Sequence, residues 1–430
     1  MRLVIFRLGT FFLLAFSLLL AADNDAKQRA RIVRELGKGG SEAIPKIEPY
    51  LSDPDLDVRL EAVKAVSQIG TQRSLDPLIK AASDNDGEVQ IRAIDGLVNF
   101  YVPGYVKSGL SGSLQRVGTA IKAKFTDTND QVIDPYIQVR PEVVQALGRV
   151  ARSGVSMEAR ADAARALGVL RGRQAVPDLV SALRSKDSQV IYESLIALQK
   201  IRDPGAGPNI RFLLRDLDER VQVAAIETEG LLLDHGALTD LRDVLDRSRN
   251  AKVKRTALTA IAQMPEPQLR GVLQSYLDNK DEGMRAAAAE GIGRLQDPGD
   301  QAAIQNLFAS ENKTGPRLAL ALALVKYGNR DMSDFAPLRY IANELNSAGY
   351  RGVAKAYLTE LARDPATRQA LYSALQGPVV TKAEKTALAQ VFALSGDRDS
   401  IPYLETLSKD TDSEVAQEGL RALRNLNARL

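Results

Sequence analysis

Apolar residues recur at three- and four-residue steps in short runs along the chain, and the stretch 158–187 shows this pattern most regularly. Its first run consists of Ala159, Ala163, Ala166, Leu167 and Leu170. This spacing puts the side chains on one face of a helix. A second run follows the turn at 172–174, with Pro177 in its first turn, where a missing N–H is tolerated. The stretch therefore predicts two short amphipathic helices, neither of which could bury its apolar face alone.

The same pair of helices returns along the chain in steps of about 31 residues, which is typical of a solenoid. An anchor residue marks the start of each first helix, just after a turn rich in Asp: Val58, Val89, Ala159, Val190, Val221, Val253, Met284, Pro316, Tyr350, Glu384 and Val415. The position four beyond the anchor is small in most copies, which lets neighbouring helices approach, and the position eight beyond is large and apolar in nearly all. A basic residue directly follows many anchors, as at Arg59, Arg285 and Arg317.

Two adjoining segments resemble the HEAT-repeat family, and the match is closest to the short HEAT-like repeats of phycobiliprotein lyases. They are DPDLDVRLEAVKAVSQIG at 53–70 and SLDPLIKAASD at 74–84. The resemblance implies an all-α fold, a right-handed superhelical solenoid of about ten to eleven antiparallel helix pairs. Such family members usually bind other proteins. The repeat brings no catalytic residue with it, so we predict no catalytic, cofactor-binding or metal-binding site.

The chain ends and one interruption depart from the repeat. We predict a signal peptide at 1–22, with Arg2 and Arg7 before an apolar run, and a single solenoid over 23–430. Within it, 23–52 is a degenerate N-terminal cap repeat and 412–430 a C-terminal cap helix. Between Val89 and Ala159 the step is far longer than one repeat, and we place an insertion at 101–138. The helix that follows it, over 139–152, copies the first-helix pattern.

The signal predicts an exported protein, periplasmic or secreted. An uncleaved N-terminal anchor facing the periplasm is the alternative, and it would be the chain's contact with the membrane. Without Arg2 and Arg7, 55 basic residues face 54 acidic ones, which argues against a nucleic-acid partner. The chain has no Cys, so disulfides and thiol chemistry are excluded. Acidic residues alternate at the junctions, as at Asp53, Asp55 and Asp57, but the spacing lacks the Gly and Glu of a calcium loop. We expect these carboxylates to cap the next helix.

The departures from the repeat are the candidate binding sites. An apolar stripe in the insertion, bordered by basic residues, predicts a helix that packs on the solenoid as a lid, docks on a partner or lies on a membrane surface. Two tyrosines of the second helices lie off the apolar stripes with Arg nearby, which is typical of binding hot spots. The candidate protein-binding residues are Tyr101, Tyr105, Lys107, Arg116, Lys122, Lys124, Tyr340 and Tyr372.

Glu229 stands eight residues beyond Val221, where nearly every other copy is apolar. If the register holds, a carboxylate faces the core and should be paired or protonated. The alternative, which we favour, is that Leu231 and Leu232 replace it in the core through a local shift beside Gly230.

These features predict a non-enzymatic, exported HEAT-repeat scaffold that mediates protein–protein interaction or assembly in the cell envelope. The alternative is a lyase-like or ligand-handling protein related to the phycobilin lyases. That function would need a pocket with convergent polar groups. A chain with one His and no Cys disfavours it.

Overall fold

Helices and turns make up the part of the chain that the computed structural model describes, residues 25–105, 132–375 and 380–430. The predicted signal peptide and most of the predicted insertion lie outside these residues. The described chain forms two compact units, one of 25–105, 132–133 and 139–203 and one of 134–138 and 204–430. Each unit is described by itself.

The first unit contains nine α-helices within its described residues. They are α1 over 25–36, α2 Ile44–Ile47, α3 Leu56–Ile69, α4 Leu75–Ala81, α5 Gly87–Tyr101, α6 Pro141–Ser153, α7 Met157–Val169, α8 Val176–Ala182 and α9 Ser188–Ile201. The first helices α3, α5, α7 and α9 each pack on the next to form one layer. The second helices α4, α6 and α8 form the other layer, as the contacts of α6 with both of its neighbours show.

The second unit repeats this arrangement. Its helices are α10 Glu219–Leu232, α11 Leu238–Arg247, α12 Ala251–Gln263, α13 Arg270–Gln274, α14 Glu282–Leu295, α15 Gln301–Ser310, α16 Thr314–Lys326, α17 Pro337–Asn343, α18 Arg351–Leu361, α19 Pro365–Leu375, α20 Lys382–Ser395, α21 Ile401–Leu407 and α22 Ser413–Asn427. The even-numbered helices are the first helices, and each packs on the next. Segment 134–138 belongs to this unit, and Asp134 accepts hydrogen bonds from Arg421 and Asn425 of α22. The fold is the predicted all-α solenoid of helix pairs.

The core follows the predicted register. The anchors Val58, Val221 and Val253 are at most 1% exposed, and the position four beyond is equally buried, as at Ala225. Close approach of the first helices requires small residues. A Cβ on Gly230 would lie 2.8 Å from the Cα of Ala260 in the next first helix, closer than side-chain carbons pack. Stacking of these helices therefore explains why the period is kept so strictly.

One element lies in a different layer from the one its pattern predicts. Helix α6 copies the first-helix pattern, yet α5 packs directly on α7, and α6 lies between α4 and α8 among the second helices. Gly148 of α6 faces this layer, because a Cβ there would meet Ala175 at 3.1 Å. The predicted insertion thus interrupts one repeat between its first and second helices. Both layers use the same helical period, so the pattern alone could not assign α6 to either of them.

Candidate interaction surfaces

The junctions between repeats are held by carboxylates that cap the next first helix. Asp55, Asp86, Asp187, Asp218 and Asp412 each accept hydrogen bonds from two backbone N–H groups in the first turn of that helix. Carboxylates at helix N-termini satisfy free N–H groups and complement the helix dipole. The expected capping role is confirmed for Asp55, whereas Asp53 pairs with Arg29 and Asp57 lies in the first turn of the helix. Among the described residues no group of His, Asp and Glu is arranged to hold a metal ion.

The basic residue that follows the anchor makes a second recurring contact at the junctions. The guanidinium of Arg285 donates to the backbone oxygen of Asn279 at 2.8 Å and to the carboxylate of Glu311 at 2.8 Å. Arg59 does the same with the backbone oxygen of Asp53 at 3.0 Å, and it lies 3.0 Å from the Asp84 carboxylate. Each such arginine therefore ties the junction before its helix to an acid of the junction after it.

Asp84 and Glu311 occupy the same repeat position, five residues before the next anchor. The Lys385 ammonium contacts an acid in that place too, Asp410, at 2.6 Å. We call this recurring contact the junction ion pair. Its members are partly or wholly buried, because the side chains of Arg285 and Glu311 are only 17% and 12% exposed. Screening by water is correspondingly reduced at such pairs.

The two tyrosines at the start of the predicted insertion interact with other residues of the first unit. The hydroxyl of Tyr101, at the end of α5, accepts a hydrogen bond from the backbone N–H of Arg140 at 3.1 Å. Tyr105 is half-buried, and burial raises its pKa to about 12. The positive charge of Arg165 acts in the opposite direction and lowers the pKa of Tyr105. Arg165 is itself ion-paired with Glu193 and Asp162. Both tyrosines anchor the start of the connection between α5 and α6.

The basic residues predicted to border the insertion stripe lie outside the described residues. They are Lys107, Arg116, Lys122 and Lys124. Their proposed role in binding stays a prediction.

Tyr372 is not the exposed hot-spot residue that its sequence position predicts. It is 2% exposed, its ring stacks on Tyr403 with centroids 4.0 Å apart, and its hydroxyl lies 2.5 Å from the Ser400 hydroxyl. The prediction is wrong because the following pair, α20 and α21, covers this side of α19 with Phe392, Ser400 and Tyr403. Tyr372 is part of the core between two repeats and is not available to a partner.

Tyr340 is half-buried in the second unit. Its ring packs edge to face on Phe308 with centroids 5.9 Å apart. The guanidinium carbon of Arg317 lies 5.0 Å from the centroid of each of the two rings. Arg317 therefore makes cation–π contacts with both aromatic side chains. We call Phe308, Arg317 and Tyr340 the Arg317 cleft.

Glu229 is fully buried in α10, and no N–H or O–H group of the described residues donates a hydrogen bond to its carboxylate oxygens; the Asp234 carboxylate is the group to which its protonated form can donate. Burial, reinforced by the Asp234 carboxylate, raises the pKa of Glu229 to about 9. Arg211 is engaged by Asp234 through two hydrogen bonds of 2.8 and 2.9 Å. The shift that we favoured from the sequence is wrong: Leu232 is buried, but Glu229 stays in the core beside it. The close fit of Gly230 on α12 fixes this turn of the helix.

A polar cluster that the repeat pattern does not predict joins three successive first helices. Arg294 of α14 donates to Glu360 of α18 at 2.9 and 3.2 Å and to Glu290 at 3.0 Å. Lys326 of α16 also contacts Glu360, at 2.8 Å, and the Tyr357 hydroxyl donates to Glu290 at 2.5 Å. Arg294, Lys326 and Glu360 all lie ten residues beyond their anchors. The occurrence of two cations and one acid at the same repeat position is the sequence signal that could have predicted this cluster.

The protein belongs to the class of α-solenoids built from helix pairs. Its sequence matches the HEAT repeats over residues 14–98, 144–229 and 238–325, which together make up more than half of the chain. The chain therefore belongs to the HEAT-repeat family. No curated protein sequence matches it. Within the described residues no helix is long and apolar enough to cross a membrane.

Several solved structures are similar in fold. Importin beta is 14% identical, with 90% of this chain and 57% of importin beta covered and a TM-score of 0.37. The CpcE–CpcF complex of phycocyanin lyase from Nostoc sp. is 19% identical, with 69% and 91% covered and a TM-score of 0.32. YibA of Escherichia coli is 15% identical, with 69% and 95% covered and a TM-score of 0.40. This chain spans just over half the length of importin beta.

Proposed function

We propose that this HEAT-repeat protein is an exported, non-enzymatic scaffold that binds another protein in the cell envelope. The family match over three separate stretches carries the proposal, because a HEAT-repeat solenoid offers an extended surface on which a second protein can lie. The half-buried arginine and aromatic rings of the Arg317 cleft support it, since Arg and Tyr are enriched where interfaces hold most of their binding energy.

Capture of the partner tests the binding part of the proposal. The full chain, tagged at its C-terminus and produced in its own organism, is cross-linked in intact cells, captured from envelope extract and analysed by mass spectrometry. We expect one or a few proteins at a constant ratio to the bait. A tagged, unrelated exported protein at the same expression level is the control, and a bait that enriches nothing above this control contradicts the scaffold function.

Export is tested separately. Residues 1–22 support the proposal because Arg2 and Arg7 precede an apolar run and Ala21 and Ala22 offer a cleavage site. We expect the protein in the envelope or medium fraction, with an N-terminus at Asp23. Substitution of two apolar residues of the run by Asp should leave the precursor in the cytoplasm. A full-length, uncleaved chain in the membrane fraction would favour the anchor instead.

The same purified protein tests the ligand-handling alternative. A protein that handles a bilin should show visible absorbance as isolated, or gain it when mixed with a tetrapyrrole. An unchanged spectrum at micromolar protein and pigment would argue against that function.

A further inference from the structure

Arg317 occupies the same repeat position as the basic residues that form junction ion pairs. In the described part of the chain it contacts neither a backbone oxygen of the preceding junction nor a carboxylate of the following one. Its place, directly after the anchor Pro316, is that of Arg59 and Arg285. Among the described residues no carboxylate lies within ion-pair distance of Arg317, and its Nε donates no hydrogen bond. The guanidinium is held by the rings of Phe308 and Tyr340 instead.

The acid that would complete the junction ion pair is missing from the sequence. In the register it would stand five residues before Tyr350, the place that Asp84, Glu311 and Asp410 hold for Arg59, Arg285 and Lys385. Arg160 and Lys254 also lack this acid, with Ser185 and Asn279 in its place, but among the described residues neither of them lies over an aromatic ring pair as Arg317 does. That place is taken by Leu345, which is fully buried. The neighbouring Glu344 is half-buried and acts electrostatically on Tyr340, but it forms no ion pair with Arg317. Arg317 is thus a partly buried cation that the rest of the unit does not neutralise.

The carboxylate that caps other first helices is also missing at the start of α16. Helix α16 begins after Lys313, and no side chain caps its first turn, whereas Asp281 and Asp412 cap the equivalent helices. Lys313 stands where six other repeats have Asp and the rest have Ser, Asn or Thr, and its ammonium lies 3.5 Å from the Glu282 carboxylate. The first turn of α16, which carries Arg317, therefore lacks the carboxylate that offsets the positive helix N-terminus in those six repeats.

We propose that the Arg317 cleft binds an Asp or Glu side chain from an acidic segment of the partner protein, which takes the place of the missing junction acid. This inference rests on the scaffold function. The rings of Phe308 and Tyr340 hold the guanidinium plane in position, so a carboxylate can approach its free edge with little loss of side-chain freedom. A charge-assisted hydrogen bond at a partly desolvated arginine is strong enough to select acidic segments over neutral ones.

A labelled peptide tests the cleft directly. Fluorescein-hexaglutamate is titrated with the full chain at low salt, followed by anisotropy, with hexaglutamine as the neutral reference. Hexaglutamate should bind measurably tighter than hexaglutamine, and Arg317→Gln should weaken it by about tenfold or more, the effect expected from loss of one charge-assisted contact. Tyr340→Leu should weaken it less, because the charge remains but its orientation is lost.

Lys254 provides the matched control. It directly follows the anchor Val253 in the same register place, and among the described residues it makes no ion pair and lies over no ring. Lys254→Gln removes the same charge and should change hexaglutamate binding less than twofold. Equal losses of hexaglutamate affinity in Lys254→Gln and Arg317→Gln would mean that overall charge attracts the peptide. That result would overturn the proposed binding site. Hexaglutamate that binds no better than hexaglutamine would overturn it too.

A third variant separates loss of the site from loss of the fold. Lys313→Asp restores the missing cap, so it should raise the melting temperature while it weakens hexaglutamate binding several-fold. Weaker binding in a stabilised protein cannot come from unfolding. If inorganic phosphate displaces hexaglutamate far better than acetate does at equal ionic strength, the cleft prefers phosphate and the carboxylate assignment is wrong.

Partner capture distinguishes this inference from the proposed function. If the wild-type chain captures a partner and Arg317→Gln captures it equally well, the cleft is not the acidic-segment site but the scaffold function stands. If the wild-type chain captures nothing, the scaffold function fails, whatever the peptide shows.

Discussion

Glu229 and Glu360 are carboxylates in first helices of the second unit, and their surroundings act on them in opposite directions. Glu229 is fully buried and no group among the described residues donates a hydrogen bond to its carboxylate, and its pKa is raised to about 9 by burial and the nearby Asp234. Burial would also raise the pKa of Glu360, but hydrogen bonds from Arg294 and Lys326 outweigh it and lower that pKa to about 2. One side chain is held neutral and the other is held charged.

The difference shows what the repeat tolerates. A carboxylate ten residues beyond the anchor can meet cations at the same position of the preceding repeats, as Glu360 meets Arg294 and Lys326. A carboxylate eight residues beyond the anchor faces apolar neighbours, because Ile261 and Ile292 fill that place in the next two repeats and are fully buried. The place in the repeat therefore decides whether a buried acid stabilises or weakens the unit.

Removal of the paired cation should have the largest effect. Arg294→Met leaves Glu290 and Glu360 without their shared partner, and we expect the free energy of unfolding in urea to fall by about 3–5 kcal/mol. The control is Arg242→Met, which removes an exposed pair with Asp246 within one helix and should change stability by less than about 0.5 kcal/mol. Equal effects of the two substitutions would show that water screens the cluster around Glu360.

Substitution of the unpaired carboxylate should act in the opposite direction. With its pKa raised to about 9, Glu229 is buried protonated at pH 7, whereas the unfolded chain releases this proton above pH 4.5; uptake of the proton on folding costs roughly 3 kcal/mol at pH 7. Glu229→Leu removes this penalty and should raise the free energy of unfolding by about 2–3 kcal/mol at pH 7. Glu405→Leu, at an exposed position, should change it by less than about 0.5 kcal/mol. A Glu229→Leu protein no more stable than wild type would show that burial of Glu229 carries no net cost at pH 7, and would contradict this prediction.

The pH dependence of stability separates the two carboxylates. The folded pKa of Glu229 exceeds its ordinary value of 4.5, so its contribution is fully present below pH 4.5 and is lost as pH rises towards about 9. The folded pKa of Glu360 is depressed, so its contribution is present above pH 4.5 and is lost as pH falls towards about 2.

Glu229→Gln should therefore flatten the decline of stability between pH 5 and 9, by up to about 1.4 kcal/mol per pH unit, without changing the acid limb. Urea unfolding at several pH values measures both limbs. A decline above pH 5 that is the same in wild type and Glu229→Gln would assign it to other groups.

The sequence predicted the first helices and their core because stacking imposes one strict period. The eleven anchors and the buried positions four and eight beyond them follow from that period alone, and Glu229 could be singled out as an exception to it. The layer of α6 could not be predicted, since first and second helices share the same periodicity. The burial of Tyr372 and the pairing of Arg294 with Glu360 depend on which side chains of different repeats meet, and the pattern of one repeat does not contain that information.

The smallest of these effects concerns a carboxylate at the start of the helix that carries Glu229. Asp218 caps α10 by accepting hydrogen bonds from the backbone N–H groups of Arg220 and Val221. Asp218→Ala should lower the free energy of unfolding by about 1 kcal/mol, whereas Asp218→Asn, which keeps an acceptor oxygen, should lower it by only a few tenths. Equal losses in both variants would show that the charge acts through the helix dipole and not through the hydrogen bonds. Together with Glu229→Leu, these variants would show that α10 has one acid that stabilises the unit, Asp218, and one that weakens it, Glu229. The two acids differ in their position in the repeat.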